Sequence, residues 1–376
     1  MPWKEVTLMS ARKEFVLLAC QEGANIRALC RQFGISPKTG YKLLRRYATE
    51  GEAGLADRPK RPKSSPNRTP DAVEASILAL RDQHPAWGGR KLGARLKALG
   101  HTDMPCPSTI TAILRRHDRI DTDSGIRHKP WHRFEHPAPN DLWQMDFKGH
   151  VALLNGRCHP LTVLDDHSRY SVCLSACANE QTGTVQAALT AAFRNYGLPW
   201  RMTMDNGPPW GDDRDNPYTP LTVWLLRLGI KVSHSRPYHP QTQGKDERFH
   251  RTLKGELLAH ETFANLAIAQ KRFDAWRDMY NLERPHQALG LQPPVSRYQA
   301  SPRPFPESLP PIEYAPDDQV RMVQAKGEFS YLGRTWKVGK AFRGYPVALR
   351  ATPQEGGLDV YFCQYRIAFI DLKAPQ

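Results

Sequence analysis

Residues 142–147 read LWQMDF, and this stretch decides how the middle of the chain folds. Its apolar side chains predict a buried strand, but Asp146 lies among them, and a charge inside an apolar strand needs a specific reason. Further strand-like runs follow at 151–154, 160–165, 170–175, 201–204 and 230–233. We therefore expect a sheet that carries an acid on one of its strands.

Helical patterns separate these strand-like runs. Val185, Leu189 and Phe193 belong to an apolar series with steps of three or four residues, which predicts a helix that ends at Gly197. A second helix is expected at 219–228. Strands that alternate with helices favour an α/β core, in which helices wrap a mixed sheet.

Two further acids stand where a ligand could bind. Asp205 follows the strand 201–204 and precedes the turn Asn206-Gly207, so its carboxylate is expected at the edge of the sheet where α/β proteins bind ligands. Glu247 lies on a predicted basic helix, 244–258. Converging carboxylates suit Mg²⁺, which prefers oxygen ligands and completes its shell with substrate phosphates. Two such ions, roughly 3.5–4 Å apart, would stabilise the attacking and leaving oxygens of a phosphoryl transfer.

A structural role for each acid is the competing interpretation. A single Asp or Glu is more often a helix cap, an ion-pair partner or a solvated charge. Asp165-Asp166 and Asp212-Asp213 are rival pairs for the same role. We interpret the first pair as a strand end that turns into residues 167–169, and the second as acids of a loop.

Proline-rich stretches divide the chain into domains, because proline cannot continue a helix. The stretch RPKRPKSSP at 58–66 is basic, and the region 300–317 holds a cluster of prolines. The predicted organisation is a helix-turn-helix domain at 1–57, a linker at 58–66, a second helix-turn-helix domain at 67–120, a linker at 121–137, the α/β core at 138–299, a linker at 300–317 and a small β domain at 318–376.

The first domain has the pattern of a DNA-binding helix-turn-helix. Gly34-Ile35 forms a turn, Ser36 caps the next helix, and Pro37 takes its first position. The apolar stripe of this helix is expected at Tyr41, Leu44 and Tyr47. Its basic residues are the predicted DNA contacts: Lys38, Lys42, Arg45 and Arg46. A helical hairpin with a solvated charged face is the alternative.

The second domain repeats this design with other residues. A helix at 71–84 is followed by one that opens at WGGRKL, 87–92, and Ser108 is expected to cap a third. The predicted DNA contacts are Arg90, Lys91 and Arg115. In the linker, Arg58 and Arg61 are expected in a minor groove, where arginines respond to its width and negative potential. A solvated linker is the alternative.

The last segment has a β pattern. The runs 329–338, 345–351 and 358–369 alternate or are apolar between glycine turns. They predict a small domain like a β-barrel. DNA contacts, subunit contacts or simple stabilisation are its possible roles.

The charge of the chain points to a polyanionic partner. Lys and Arg number 53 against 38 Asp and Glu, a net charge of +15. Residues 1–135 hold 25 of these bases and 14 of the acids, so 25 − 14 = +11 lies in the first third. Such asymmetry favours nucleic acid, since each neutralised phosphate releases counterions. Charge alone does not exclude a basic protein without such a partner.

Other composition features exclude several classes of protein. The chain has 376 residues, and 40% of them are hydrophobic, enough for real cores. The longest apolar run, 15–20, is far too short to span a membrane. The seven cysteines include no CxxC pair, which favours reduced thiols over a disulfide framework or a zinc site. We expect a soluble cytoplasmic protein that joins the nucleoid when it binds DNA, with no membrane partner and no zinc.

Five blocks of the core resemble the integrase core of bacterial insertion-sequence transposases, which belong to the DDE class and are related to retroviral integrases. They occur in the family's order and read WQMDFKG, VLDDHSRY, MTMDNGPPW, YHPQTQGKDERFHRTLKGEL and YNLERPHQALGLQPPVSRY. The stretch from WGGRKL to ILRRH, 87–117, resembles the upstream helix-turn-helix of the same elements. The resemblance implies a ribonuclease H-like core.

The resemblance also implies roles for the three acids. Asp146, Asp205 and Glu247 match the family's catalytic triad and would bind two Mg²⁺ ions, with Mn²⁺ as a substitute. The enzyme would nick the ends of its element and join the freed 3′-hydroxyls to target DNA without a covalent protein intermediate. The segment between Asp205 and Glu247 looks longer than is usual in the family, and the extra residues fall in the acidic loop GDDRDNPYTP.

The implied partners are DNA and further copies of the chain. The basic residues around Glu247 would line the DNA path as phosphate contacts: Lys245, Arg248, Arg251 and Lys254. Two element ends must be paired, so a homo-oligomer is expected. A catalytically retired transposase that acts as a sequence-specific regulator remains an alternative, as does a nuclease that cuts without joining.

Overall fold

The computed structural model of the chain describes residues 8–58, 68–120, 135–211, 218–234 and 244–374. The predicted DNA contact Arg61, most of the two linkers 58–66 and 121–137, and the acids Asp212 and Asp213 lie outside these residues. Two compact units make up the chain, Met1–Arg68 and Thr69–Gln376. The first unit corresponds to the predicted first domain and its linker.

The first unit is a three-helix domain with α1 (Leu8–Ala19), α2 (Ile26–Gln32) and α3 (Pro37–Glu50). The side chain of Ser36 accepts a hydrogen bond from the backbone N–H of Thr39, which satisfies one free donor of the first turn of α3. Pro37 follows at the first helical position, where it has no hydrogen bond to lose. The predicted start of this helix is confirmed.

The buried face of α3 differs from the predicted stripe. Gly40 and Leu43 are its buried residues, whereas half of Tyr41 is exposed. A Cβ atom on Gly40 would lie 2.4 Å from Cys30 Sγ and 2.9 Å from Phe15 Cζ. The helix therefore turns its glycine towards α1 and α2, and this close approach rotates Tyr41 into solvent.

A second three-helix domain begins the second unit, with α4 (Asp71–Gln83), α5 (Gly89–Ala98) and α6 (Pro107–Arg116). Its core is built from Ile77, Trp87, Leu92, Ile110 and Leu114. The expectation that Ser108 caps the third helix is wrong by two residues. Cys106 holds the cap position, because Pro107 occupies the first position of α6.

The core contains one mixed six-stranded sheet. Its strands are β1 (Trp143–Phe147), β2 (Val151–Leu153), β3 (Gly156–Asp165), β4 (Ser171–Cys177), β5 (Arg201–Met204) and β6 (Lys231–His234). β3 pairs antiparallel with β1, β2 and β4, while β5 runs parallel between β1 and β6. The helices are α7 (Thr182–Tyr196), α8 (Pro220–Arg227), α9 (Gly244–Leu253), which continues into a π-helical turn at 254–258, and α10 (Leu266–Leu282).

Alternating side chains give the sheet two covered faces. Trp143, Met145 and Val163 share a core with α7 on one face. On the other face, Leu164 of β3 and Leu174 of β4 pack with side chains of α9 and α10. Asp146 follows Met145, so it belongs to the face that α9 covers. The period of two along β1 thus explains how an acid can sit in an apolar strand.

The C-terminal segment forms two small sheets over one core. β7 (Gln319–Met322), β10 (Pro346–Ala351), β11 (Gly357–Phe362) and β12 (Tyr365–Asp371) make an antiparallel four-stranded sheet, and β8 (Glu328–Tyr331) pairs with β9 (Arg334–Lys337) as a hairpin. Among the described residues, no strand pairing joins the hairpin and the sheet into a closed barrel. Turns at Leu332-Gly333 and Cys363-Gln364 split two of the predicted runs into separate strands. Within the described ranges, no helix is long and apolar enough to cross a membrane.

Candidate active site

Two of the three predicted acids lie side by side at the edge of the sheet. In the parallel pair of β1 and β5, Trp143 is opposite Met202 and Gln144 is opposite Thr203. This register, continued along both strands, sets Asp146 beside Asp205. The carbonyl oxygen of Asp205 also accepts a hydrogen bond from His234 Nδ1 at 2.9 Å, which ties the end of β5 to the end of β6. The strand ends therefore hold both acids on rigid elements.

The environment of Asp146 opposes its negative charge. Burial and then the charge of Asp205 raise its pKa from 3.8 to about 6, against a smaller opposite effect of Lys148. About a quarter of the Asp146 side chain is exposed, and Asp205 is exposed. Two carboxylates that repel each other at a partly open edge are a chemically suitable donor pair for a hard divalent cation.

The third predicted acid lies on the helix that covers this face. α9 packs Phe249 and Leu253 into the core under β3 and β4. Glu247 is in the first turn of α9 and is exposed, whereas its neighbour Asp246 is only 1% exposed. Within the described ranges, no three His, Cys, Asp or Glu side chains form a group that could hold a metal ion. The structure thus brings Asp146 and Asp205 together but does not gather Glu247 into one cluster with them.

Asp246 is a buried acid that no sequence pattern distinguishes from Glu247. Neither of its carboxylate oxygens has a hydrogen-bond partner among the described residues. Burial raises its pKa well above 3.8, and the charges of Asp146 and Asp166 add to this effect. Its position beside Glu247 is the only signal that the sequence offers, since one residue of a helix cannot be told from the next without its packing.

The rival pair Asp165-Asp166 has structural partners. Asp165 accepts hydrogen bonds from the backbone N–H groups of Asn140 and Ser168, at 2.7 and 2.8 Å, and from the Ser168 hydroxyl. Asp166 accepts from Gln144 Nε2 at 2.8 Å and forms an ion pair with Lys245. These contacts agree with the interpretation of the pair as a strand end that turns back.

A histidine of α9 is connected through β3 to the strand that carries Asp146. His250 Nε2 is 2.8 Å from Thr162 Oγ1, and Thr162 Oγ1 is 2.9 Å from the carbonyl oxygen of Asp146. His250 Nδ1 lies 3.8 Å from Asp146 Oδ2. Burial and the charge of Lys148 lower the pKa of His250 to about 4. In the sequence, the only sign of a role for His250 is that it follows Glu247 by three residues and so shares its side of the helix.

The predicted DNA contacts of the first unit lie on the surface of α3. Lys38, Lys42 and Arg45 are exposed, and Arg46 is half-buried. Arg58, at the end of the described part of this unit, forms an ion pair with Glu50. The exposed cations of α3 follow one another by three or four residues, so they share one side of the helix.

Two predicted DNA contacts of the second unit make internal ion pairs. Lys91 Nζ is 3.6 Å from Glu256 Oε1, and Lys245 pairs with Asp166. Both lysines are partly buried, and burial lowers the pKa of Lys91 to about 8 and lowers that of Lys245 as well. The remaining predicted contacts of this unit are exposed: Arg90, Arg115, Arg248, Arg251 and Lys254.

Five protein families match parts of the chain. Two integrase core domains match residues 136–240 and 228–294, and the C-terminal domain of IS481 family transposases matches residues 318–376. A helix-turn-helix domain matches residues 12–63, and a homeodomain-like domain matches residues 39–114. Helix-turn-helix domains at the N-terminus and an integrase core at the centre are thereby confirmed.

Two curated relatives come from bacterial insertion elements. The uncharacterized 39.2 kDa protein of insertion element IS476 from Xanthomonas euvesicatoria is 27% identical over 65% of this chain and 69% of its own length. The uncharacterized 31.7 kDa protein of insertion element IS407 from Burkholderia multivorans is 32% identical over 42% of this chain. The chain spans 54% of the length of this second relative.

Retroviral proteins are among the similar solved structures. The intasome of simian T-cell lymphotropic virus in complex with PP2A regulatory subunit B56 gamma is 18% identical, with a TM-score of 0.38 over 79% of this chain and 97% of its own. The catalytic core domain of BIV integrase is 24% identical, with a TM-score of 0.32 over 42% of this chain and 92% of its own.

The matched ranges contain the elements that carry the three predicted acids. The integrase core domains cover the strands of Asp146 and Asp205 and the helix of Glu247. The C-terminal match is to a domain of IS481 family transposases, and both bacterial relatives belong to insertion elements. Together these findings support the assignment of the chain to the insertion-sequence transposases of the DDE class.

Proposed function

We propose that the chain binds the terminal inverted repeats of its own element, nicks the ends, and joins the freed 3′-hydroxyls to target DNA. The observation that carries this proposal is the pair Asp146 and Asp205, two carboxylates set side by side at the edge of an integrase core sheet. The charge of Asp205 raises the pKa of Asp146, as expected for two carboxylates that share one site, and such perturbed groups are typical of functional sites.

The two reactions are successive displacements at phosphorus. In the first, a water oxygen bonds to phosphorus and the bond to the 3′-oxygen breaks, which leaves a 3′-hydroxyl on the element end and a 5′-phosphate on the flank. In the second, that 3′-oxygen bonds to a target phosphorus, gives up its proton, and displaces the 3′-oxygen of the target strand. One phosphodiester is exchanged for another, so no covalent protein intermediate is needed.

Asp146, Asp205 and Glu247 would hold divalent cations in this reaction. Bound Mg²⁺ ions, two in number and replaceable by Mn²⁺, would stabilise the charge of the attacking and leaving oxygens. The fit rests on the donor chemistry, since carboxylate oxygens are what Mg²⁺ prefers and Asp146 already carries a charge that its surroundings disfavour. Glu247, exposed in the first turn of α9, would complete the site when metal is bound.

The remaining domains would supply DNA recognition and assembly. The exposed cations of α3, Arg90 of α5 and Arg115 of α6 are suited to phosphate or base contacts, and Arg248, Arg251 and Lys254 to phosphate contacts along the core. Lys91 and Lys245 would contact DNA only after leaving their acid partners. Paired ends require at least two active sites, so we propose a homo-oligomer, with the C-terminal sheets contributing DNA or subunit contacts.

The decisive experiment uses the DNA that flanks the reading frame as a labelled end substrate. Purified protein is incubated with this DNA, a plasmid target and Mg²⁺ or Mn²⁺, beside the variants Asp146→Asn, Asp205→Asn and Glu247→Gln. We expect joined products from the wild type only, with end binding unchanged in all three variants. Cutting that survives one substitution would remove that residue from the site.

Two other outcomes of this experiment would favour the two alternative functions, a DNA-binding regulator and a nuclease. Tight end binding without cutting or joining in the wild type, with both paired ends supplied, would favour a retired transposase that acts as a DNA-binding regulator. Cutting without joining would favour a nuclease. Either result would contradict the proposed strand transfer.

A further inference from the structure

A chain of two hydrogen bonds connects α9 to the backbone of Asp146. His250 is on α9, three residues after Glu247, and Thr162 is on β3. In the antiparallel pair of β1 and β3, Thr162 is directly opposite Asp146, so both side chains emerge on the face that α9 covers. The contacts therefore run from the helix of one predicted metal ligand, through the neighbouring strand, to another predicted ligand.

The direction of each hydrogen bond follows from the available protons. A carbonyl oxygen only accepts, so the 2.9 Å contact to the Asp146 carbonyl uses the single hydroxyl proton of Thr162. Thr162 Oγ1 can then only accept from the ring, so His250 Nε2 donates in the 2.8 Å contact. Thr162 is fully buried and His250 is 8% exposed, so water does not compete for either bond.

The connection fixes the position of α9 relative to Asp146. α9 is also held by apolar packing of Phe249 and Leu253, which resists separation but tolerates sliding. The hydrogen bonds of His250 are directional and resist both sliding and rotation of the helix. One turn of helix separates His250 from Glu247, so a shift of His250 is passed to Glu247 almost undiminished.

We propose that His250 and Thr162 are positioning residues that set the placement of Glu247 relative to Asp146. This inference rests on the proposed function, because it gives Glu247 and Asp146 a shared task. It assigns no contact with substrate to either residue. The competing explanation is that the two side chains only satisfy each other in a buried layer, in which case their loss would change stability and nothing else.

Isosteric pairs of variants separate these explanations. His250→Gln retains an N–H donor near the place of Nε2, whereas His250→Met has similar length and none. Thr162→Ser retains the hydroxyl, whereas Thr162→Val keeps the shape without it. The double variant His250→Met/Thr162→Val removes both partners and leaves an apolar contact, which restores much of the stability lost by the single substitutions.

Two measurements are made on each variant. The first is the rise in melting temperature with added Mn²⁺ in the absence of DNA, from which the half-saturating Mn²⁺ concentration is obtained. The second is the rate of end cleavage at saturating DNA. We expect His250→Met, Thr162→Val and the double variant to need roughly 10-fold more Mn²⁺ and to cleave at least 10-fold more slowly, with the affinity for end DNA unchanged. For His250→Gln and Thr162→Ser, the half-saturating Mn²⁺ concentration and the cleavage rate should stay within about 3-fold of the wild type.

The double variant decides the result. If it regains stability and also binds Mn²⁺ and cleaves like the wild type, the pair is only structural and the proposal is overturned. If either single variant does not fold, the double variant and the Gln and Ser variants still give the comparison. A wild type that neither cuts nor joins contradicts the proposed function instead, while the Mn²⁺ midpoints still test the hydrogen-bonded connection.

Discussion

Arg284 Nε lies 2.8 Å from Glu256 Oε1, and both side chains are more than nine-tenths buried where the second helical domain meets the core. Lys91 of α5 approaches the same oxygen, with its Nζ at 3.6 Å. One carboxylate therefore balances two cations, one from each side of the contact. Arg95 of α5 adds a pair with Glu283 at 2.6 Å. These contacts hold the second three-helix domain against the catalytic core.

Replacing Glu256 by Gln should strongly destabilise the second unit. The substitution leaves Arg284 buried without a counter-charge, and breaking a buried pair in this way costs about 3–5 kcal/mol. The measurement is the free energy of unfolding in urea. Glu261→Gln is the matched control, because its partner Arg272 is about half exposed and such pairs contribute about 1 kcal/mol or less. Equal losses in the two variants would contradict a special role for Glu256.

Lys91 should make the stability of the second unit depend on pH between about 8 and 10.5. Burial lowers its pKa to about 8 in the folded state, against 10.5 for a free lysine. Between these values the unfolded chain binds more protons, so the free energy of unfolding rises with pH. Lys91→Met should abolish this contribution. The measurement is the free energy of unfolding of the wild type and of Lys91→Met at several pH values from 7 to 10. Parallel plots of this free energy against pH would contradict the predicted contribution of Lys91.

Asp146→Asn should stabilise the metal-free protein at neutral pH while abolishing activity. The pKa of Asp146 is about 6 when folded and 3.8 when free, so the folded state binds more protons between these values. Its contribution to stability is therefore present below about pH 4 and is lost as the pH rises through 6. At pH 7 we expect a gain of roughly 1–3 kcal/mol for the variant, and little difference at pH 3.5.

Asp205→Asn provides the control for this effect. The charge of Asp205 is the second cause of the raised pKa, after burial. Removing it should lower the pKa of Asp146 towards its usual value and shift the pH-dependent loss of stability to lower pH. If the Asp205→Asn variant lost stability over the same pH range as the wild type, the two carboxylates would not be coupled.

Patterns along the chain predicted most of the core, because periodicity records which face of an element is buried. The apolar run around Asp146 and the spacing of Val185, Leu189 and Phe193 predicted β1 and α7 nearly as the structure has them. Capping chemistry likewise gave the start of α3 at Ser36 and Pro37. These signals are local, so tertiary contacts did not need to be known.

Features that depend on neighbours distant in sequence were not predictable. Gly40 is buried because Cys30 and Phe15 occupy the space that a side chain would need. The choice between Asp246 and Glu247 for the buried position depends on how α9 is rotated on β1 and β3. The hydrogen bond from His250 to Thr162 spans 88 residues, and no spacing rule connects such positions.

Asp246 and Glu247 should respond in opposite ways to neutral substitution. The carboxyl of Asp246 is buried, and neither oxygen has a hydrogen-bond partner in the described part of the chain, so Asp246→Val should stabilise the protein by about 1–3 kcal/mol. We expect this variant to keep end joining, whereas Glu247→Gln loses joining with little change in stability. Joining and urea unfolding are measured for both. Loss of joining in Asp246→Val, with the fold intact, would make Asp246 a member of the active site.

Lys42→Ala and Arg45→Ala should weaken binding to the element ends. Both cations are exposed on α3, the helix that Ser36 and Pro37 begin in the first unit. If each contacts one phosphate, each substitution should lower the slope of log affinity against log salt by about 1, because one fewer counterion is released. The measurement is a salt titration of end binding beside a scrambled duplex of equal length.

Lys13→Ala is the matched control for these two variants. It removes one positive charge from the same unit, but from α1, where Lys13 Nζ pairs with Glu52 at 2.9 Å. A phosphate contact predicts that only Lys42→Ala and Arg45→Ala lower the slope. Because phosphate contacts carry no sequence information, each of these two variants should lose as much affinity for the end as for the scrambled duplex. A larger loss of affinity for the end sequence than for the scrambled duplex would show that the residue contacts bases. If neither variant lost affinity, Arg115 of α6 would be the next candidate for the recognition of the ends, and Arg115→Ala would test it.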